Sequence, residues 1–419
     1  MQITDHHNRN GRVGLALAGG GPNGAIYEIG ALRALDEALI GLELNDVPVT
    51  VGVSSGALVG ALLANGLDTA HLCRGLVHPD PGEPAFEPGA FLMPAFGDFL
   101  KSGMRVPGLL GEALYDFAFG DERDGRGVRN LIGLVAERLS RALPVGVCDN
   151  RPLRRFLDEA FARPGRTNDF RRLKNELYVV ATDLDSGEAI RFGEPGSDHI
   201  SIAHAVQAST ALPGLYSPVE VDGRFYVDGV LLKTVHASVA LDRGAGLVLC
   251  VNPVVPVDTA RAVAEGVMKR GRLIDRGMPT VMSQALRTLV HSRMTAGMKA
   301  YEGRYDGADI LLFEPPRDDY AMFFRNAFSF AERKTVVEHA YKSTLLSLAR
   351  RRREVRPILE RHGITLDDAL LDTAQLAPQT LDLWGNVKLR EGEAERSGSF
   401  LGHQLTVALD RLEQELQAG

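Results

Sequence analysis

The chain has 419 residues, of which 45% are hydrophobic, 24% charged and 6% aromatic, and this composition excludes a wholly disordered, collagenous or coiled-coil protein. The length suits one large α/β domain with an extension, or two domains. Lys+Arg 47 against Asp+Glu 54 leave a formal net charge of −7, which argues against a general nucleic-acid binder.

The stretch Met1-Gln2-Ile3-Thr4-Asp5-His6-His7 lacks the basic and apolar regions of a secretory signal. No segment approaches the roughly 20 uninterrupted apolar residues of a membrane-spanning helix. Cys73, Cys148 and Cys250 are far apart and odd in number. They read as thiols of a reducing compartment, with neither a disulfide framework nor a zinc site. The expectation is a cytoplasmic protein, soluble or resting peripherally on a membrane surface.

In chain order, the first element is Val13-Gly14-Leu15-Ala16-Leu17-Ala18, an apolar run ending in glycines that reads as a buried strand. A helix follows up to Ile40, with Ile26, Ile29, Leu32, Leu35 and Leu39 at three-to-four spacing. Residues 47–53 read as a second strand, and a second helix runs through Ala57, Leu58 and Leu62. Strand, helix, strand, helix begins a parallel sheet covered on both faces.

From 79 to 120 prolines and glycines interleave with Phe86, Phe91, Phe96 and Phe99. That stretch is either a lid or lipid-facing flap, or an irregular insertion whose aromatics plug the core edge. The arginine-rich residues 149–174 read first as a solvated helix face and second as a patch for anionic head groups. Further strands are expected at 177–182, 189–192, 246–253 and 310–313, a turn–strand–turn at 223–229, and a short helix at 202–209. Beyond 256 the pattern turns to long amphipathic helices, 256–307 and 330–362, with a last helix over 401–416.

Gly52-Val53-Ser54-Ser55-Gly56 matches G-x-S-x-G at a strand end just before a helix, the context of a nucleophile held on a sharp turn. Glycines flank such a serine because the backbone crowds there. A helix N-cap alone accounts for one serine and for neither glycine. Gly19-Gly20-Gly21-Pro22-Asn23-Gly24 also joins strand to helix and satisfies G-x-G-x-x-G literally. A dinucleotide site expects an acidic residue at the end of the next strand, and here that strand runs into Ser54. The better reading is an oxyanion hole of glycine N–H groups, brought beside Ser54 by adjacent parallel strands. Asp228, in Tyr226-Val227-Asp228-Gly229, is a candidate base, although Asp-Gly is also a common turn. His204 and His236 stay open as alternative bases; the other histidines carry no motif.

These blocks, together with Ala208-Ser209-Thr210-Ala211-Leu212-Pro213 leading to Pro218 and Asp228-Gly229, resemble patatin-like phospholipases, in that family's order and over residues 12–255. The resemblance implies a three-layer α/β/α sandwich with a mostly parallel central sheet. It implies a Ser–Asp dyad, with Ser54 the nucleophile and Asp228 the general base, and an oxyanion hole from Gly19, Gly20, Gly21 and Gly24. The implied activity is hydrolysis of acyl esters in phospholipids and other lipids, through an acyl-enzyme. The implied partners are a lipid substrate and, transiently, a membrane surface, with no nucleic acid, cofactor or metal. Oligomeric state is not assigned.

The sequence departs from the family pattern at Asn23, where Arg or Lys is usual, at Val230, where Gly or Ala is usual, and in Leu231-Leu232-Lys233-Thr234, which lacks a common asparagine. The expected organisation is an acyl-hydrolase domain over 12–255 and a mainly helical C-terminal extension over 256–419. Two rival readings stand beside it. One is a catalytically weak or inactive lipid-binding protein of this fold. The other is a Ser-Asp-His α/β-hydrolase esterase.

Overall fold

The computed structural model describes residues 12–77, 93–95, 104, 106–109, 112, 144–266, 269, 272–319 and 330–384. The N-terminal part runs β1 (Val13–Leu17), α1 (Gly21–Ala38), β2 (Leu39–Ile40), β3 (Val49–Val53), α2 (Ser55–Ala64), α3 (Thr69–Val77) and β4 (Met93–Pro94). The middle runs β5 (Gly146–Asp149), α4 (Arg151–Phe161), β6 (Glu176–Asp183), β7 (Ala189–Phe192), α5 (Ile202–Ser209), β8 (Gly214–Tyr216), β9 (Val219–Val221) and β10 (Arg224–Asp228). Then come α6 (Ala237–Asp242), β11 (Leu247–Val251), α7 (Met278–Arg304), β12 (Asp309–Phe313), α8 (Phe330–Arg361), β13 (Thr365–Leu366) and α9 (Asp368–Leu376).

β1, β3 and β11 are buried at every residue, as apolar strands are when helices cover both faces of a sheet. The eight-stranded sheet has the order β12-β11-β1-β3-β6-β10-β9, with β7 beside β6. Its β12, β11, β1, β3 and β6 are parallel, and β7, β10 and β9 form an antiparallel margin. Alternation sorts the layers. Ala16, Ala18, Val51 and Val248 join one core cluster with residues of α6 and α7, among them Val239, Ala240, Val290 and Met294. On the opposite face the Leu17 side chain meets α2 near Gly60. The result is the three-layer sandwich that the sequence implied.

The chain beyond 256 joins this framework. β12 pairs in parallel with β11, Leu247 opposite Asp309. α8 lies on α1 at such close range that a Cβ on Gly30 would sit 2.4 Å from the Val337 carbonyl oxygen. The described residues from 12 to 381 belong to one compact unit. Phe86, Phe91, Phe96 and Phe99 of the 79–120 stretch, and the helix expected at 401–416, lie outside the described residues. In the arginine-rich stretch, Arg151 pairs with Asp149 at 2.7 Å and Arg171 with Asp169 at 2.8 Å, while α4 buries Leu153, Leu157, Ala160 and Phe161. Among the described residues no helix is long and apolar enough to cross a membrane.

Candidate active site

Parallel pairing of β1 with β3 sets Leu17 opposite Gly52, so the chains leaving these two strands emerge side by side. Small-molecule sites in open α/β sheets form at this carboxyl edge. β3 passes into α2 through Ser54, whose φ of 53° and ψ of −121° are unusual for a residue with a side chain. The flanking glycines make that turn possible. A Cβ on Gly52 would lie 2.4 Å from the Ala57 Cα, and one on Gly56 would lie 2.5 Å from the Leu17 carbonyl. The Gly56 N–H instead donates to the Ala18 carbonyl at 3.0 Å, clipping the turn to the end of β1.

A second clamp holds the serine itself. The Ser54 N–H donates to Ser209 Oγ at 2.8 Å, and Ser209 Oγ donates to the Val180 carbonyl at 2.6 Å. Ser209 is wholly buried, so both bonds are made away from water. Ser209 belongs to the 208–213 block, whose pattern does not itself give it a task. No local pattern could have done so, because its partners are 155 and 29 residues away.

Asp228 ends β10. Its N–H donates to the Ala211 carbonyl at 3.0 Å, and Thr182 Oγ1 donates to its carbonyl at 3.2 Å. The carboxylate accepts the Val230 N–H at 2.9 Å and a side-chain hydrogen bond from Ser54. Burial disfavours its charged form and the two hydrogen bonds favour it. Burial wins, and the carboxyl is pushed up to about 7. A carboxylate so placed is a far better proton acceptor at neutral pH than an exposed aspartate.

Gly19, Gly20 and Gly21 line the cavity in which Ser54 and Asp228 meet. A Cβ on Gly19 would stand 2.9 Å from Ser54 Cβ and 3.3 Å from Val230 Cγ2, so only glycine lets the loop approach the serine. α1 begins at Gly21, with Pro22 in its first turn, and directs the positive end of its dipole at the same space. Gly24 differs from the other three. Its N–H donates to the Gly20 carbonyl at 3.0 Å inside the helix, and it borders a smaller cavity, as does Asn23.

The Ser54 cavity has a volume of about 210 Å³. Leu58, Leu153, Leu212, Leu215, Val230 and Val254 make it largely apolar, and Ser283, Leu286, Arg287 and Val290 of α7 supply a wall that the sequence had not foreseen. That α7 turns one helical stripe inward was readable in principle from the three-to-four spacing of those four residues. No described histidine lines the cavity. Burial pushes His236 down to about 3 and lowers His204, disfavouring the charged form of both rings. Among the described residues no group of three or more His, Cys, Asp or Glu side chains could hold a metal ion.

A family model described as patatin-like phospholipase matches residues 15–241. Among solved structures, VipD from Legionella pneumophila is similar at 16% identity and a TM-score of 0.37, covering 84% of this chain and 67% of that one. The type III effector ExoU of Pseudomonas aeruginosa is similar at 15% identity and a TM-score of 0.29, with 88% and 54% covered. Human GIVD cytosolic phospholipase A2 follows at 15% identity and a TM-score of 0.22, with 65% and 44% covered. The chain thus spans between two thirds and under half of the length of these structures.

Proposed function

The chain belongs to the patatin-like phospholipase family, and from that premise we propose that it is a serine acyl hydrolase cleaving carboxylic ester bonds of phospholipids or other acyl lipids through a Ser54–Asp228 dyad. The observation that carries this reading is Ser54 on a positive-φ turn, hydrogen-bonded to an aspartate whose burial holds it near neutrality, within one apolar cavity. Ser54 and Asp228 fall within residues 12–255, and α7 from the chain beyond them completes the cavity.

In the first step Asp228 takes the proton of Ser54 Oγ as that oxygen bonds to the ester carbonyl carbon. The carbonyl π electrons move to its oxygen, and the N–H groups of Gly19, Gly20 and Gly21 receive the negative charge. The tetrahedral adduct collapses, the ester C–O bond breaks, and the departing alkoxide takes the proton from Asp228. Water then repeats the sequence: Asp228 removes its proton, hydroxide adds to the acyl-enzyme, and Ser54 leaves with that proton. The products are a fatty acid and the deacylated alcohol. An aspartate is a weak base for a hydroxyl, so the loop amides and the α1 dipole carry much of the barrier lowering.

The substrate is drawn from a lipid surface that the protein touches transiently. Release of fatty acid from phosphatidylcholine in neutral mixed micelles tests the reading. Wild type releases fatty acid and Ser54→Ala does not. Binding of the micelles without release would favour the lipid-binding alternative.

A further inference from the structure

α7 lies beyond the residues matched by the family model, yet its Ser283, Leu286, Arg287 and Val290 form one inward stripe on the Ser54 cavity. Arg287 and Asp228 are the charged residues of that lining among the described residues, one cation and one carboxyl in an otherwise uncharged wall. Arg287 also borders the smaller cavity, which shares Gly20 with the first, so its side chain stands close to the glycine loop.

Local bonds orient the guanidinium. Nη1 donates to the Val255 carbonyl at 3.3 Å, and Nε lies 3.4 Å from Ser283 Oγ. The neighbouring Gln284 exchanges bonds with the backbone of Val257 at 3.2 and 2.9 Å, so the turn of α7 that leads into Arg287 is tied to the chain after β11. Burial lowers the Arg287 pKa from its ordinary value, and a guanidinium keeps its charge through any such shift. A cation held in apolar surroundings attracts an anionic group more strongly than one in water. The planar fork of arginine matches the paired oxygens of a phosphate.

We propose that Arg287 receives the phosphate group of a phospholipid whose scissile ester lies at Ser54, and so selects phosphate-bearing acyl lipids over neutral acylglycerols. The two walls of the cavity then divide the work. Ser54, Asp228 and the glycine loop act on the ester, and Arg287 on the facing helix reads the group a short glycerol linkage away. The inference rests on the acyl-hydrolase reading of Ser54.

The test compares dioleoyl phosphatidylcholine with dioleoylglycerol, identical in acyl chains, in the same nonionic micelles, for wild type, Arg287→Gln and Arg287→Lys. Ser54 labelling by a neutral fluorophosphonate is followed in each. Arg287→Gln is expected to lower the ratio of kcat/KM for phospholipid to that for diacylglycerol by about tenfold or more, as loss of a charged hydrogen bond does. Arg287→Lys keeps the charge without the fork and lowers the ratio less. An equal fall on both lipids, or an unchanged ratio, overturns the assignment.

Inorganic phosphate separates the sources of the anion. If it competes with phospholipid in wild type but not in Arg287→Gln, while that variant leaves the lipid ratio unchanged, Arg287 serves free phosphate and the lipid assignment is overturned. Wild type that neither takes the label nor hydrolyses either lipid fails at Ser54, and the inference falls with the reading it rests on.

Discussion

The wall that carries Ser54 is built where backbone meets backbone, whereas the wall made by α7 is built from side chains on a helix with Met278, Met282 and Leu289 exposed along its length. On the first wall an added methyl at Gly56 would stand 2.5 Å from the Leu17 carbonyl, and at Gly19 it would stand 2.9 Å from Ser54 Cβ. On the second, Leu286, Arg287 and Val290 line the cavity from one stripe of a helix. The contrast separates two kinds of specification. Residue identity on the first wall is dictated by close approach of the chain to itself, and under the proposed function that wall carries the chemistry. The second wall, under the same proposal, carries the choice of substrate.

The largest effects are therefore expected at the dyad. Ser54→Ala and Asp228→Asn should each lower ester turnover by roughly ten-thousandfold, measured as fatty-acid release. Asp228→Asn should at the same time stabilise the fold at alkaline pH. A carboxyl raised to about 7 in the folded state contributes stability that is complete below the ordinary carboxylate range and is lost as pH rises through about 7. The melting temperature of Asp228→Asn should exceed that of wild type at about pH 8, and the gap should close toward pH 4. A variant that is less stable at every pH would contradict the account of Asp228 as a carboxyl whose charged form is disfavoured by burial.

Gly56→Ala comes next. Its methyl has backbone on both sides of the gap, so relief requires β1 and α2 to part; the expected cost is about 1–3 kcal/mol, read as a lower melting temperature. The same change at Gly75, whose Cβ position is open, should leave melting within about 0.5 kcal/mol of wild type. Ser209→Ala tests the clamp on the nucleophile. It removes the acceptor of the Ser54 N–H, a loss of about 1–3 kcal/mol at a buried amide. Because Ser209 does not line the cavity, kcat should fall while KM stays near that of wild type, and Ser209→Thr should recover part of the loss. The smallest effects belong to the second wall, where Leu286→Ala and Val290→Ala should shift preference among acyl chain lengths by a few-fold.

The same contrast explains what could be read in the sequence. The strands at the centre of the sheet are short apolar runs bounded by glycine or proline, and the G-x-S-x-G turn at Ser54 is legible from its spacing, whereas Asp228 stands out from a common Asp-Gly turn only through the family resemblance. Gly24 shows the limit of such spacing. It completes the glycine motif, and its N–H is nevertheless spent on the Gly20 carbonyl, a bond set by where the helix begins. Ser209, the α7 wall and the seat of α8 on Gly30 depend on partners distant in sequence, and a hydroxyl or an amphipathic stripe does not say what it will meet. The strand expected at 310–313 illustrates the same point. Its existence was legible from Ile310 to Phe313, and its place beside β11 was not.

The central claim is that Ser54 is a nucleophile whose proton is taken by a buried aspartate titrating near 7. Fluorophosphonate labelling, followed against pH and located by mass spectrometry of the modified peptide, tests it directly. The label is expected on Ser54 alone, at a rate that rises through about pH 7 to a plateau, and Asp228→Asn is expected to fold and remain unlabelled. A label on another serine, or a rate on Ser54 that is the same in Asp228→Asn as in wild type, would contradict it.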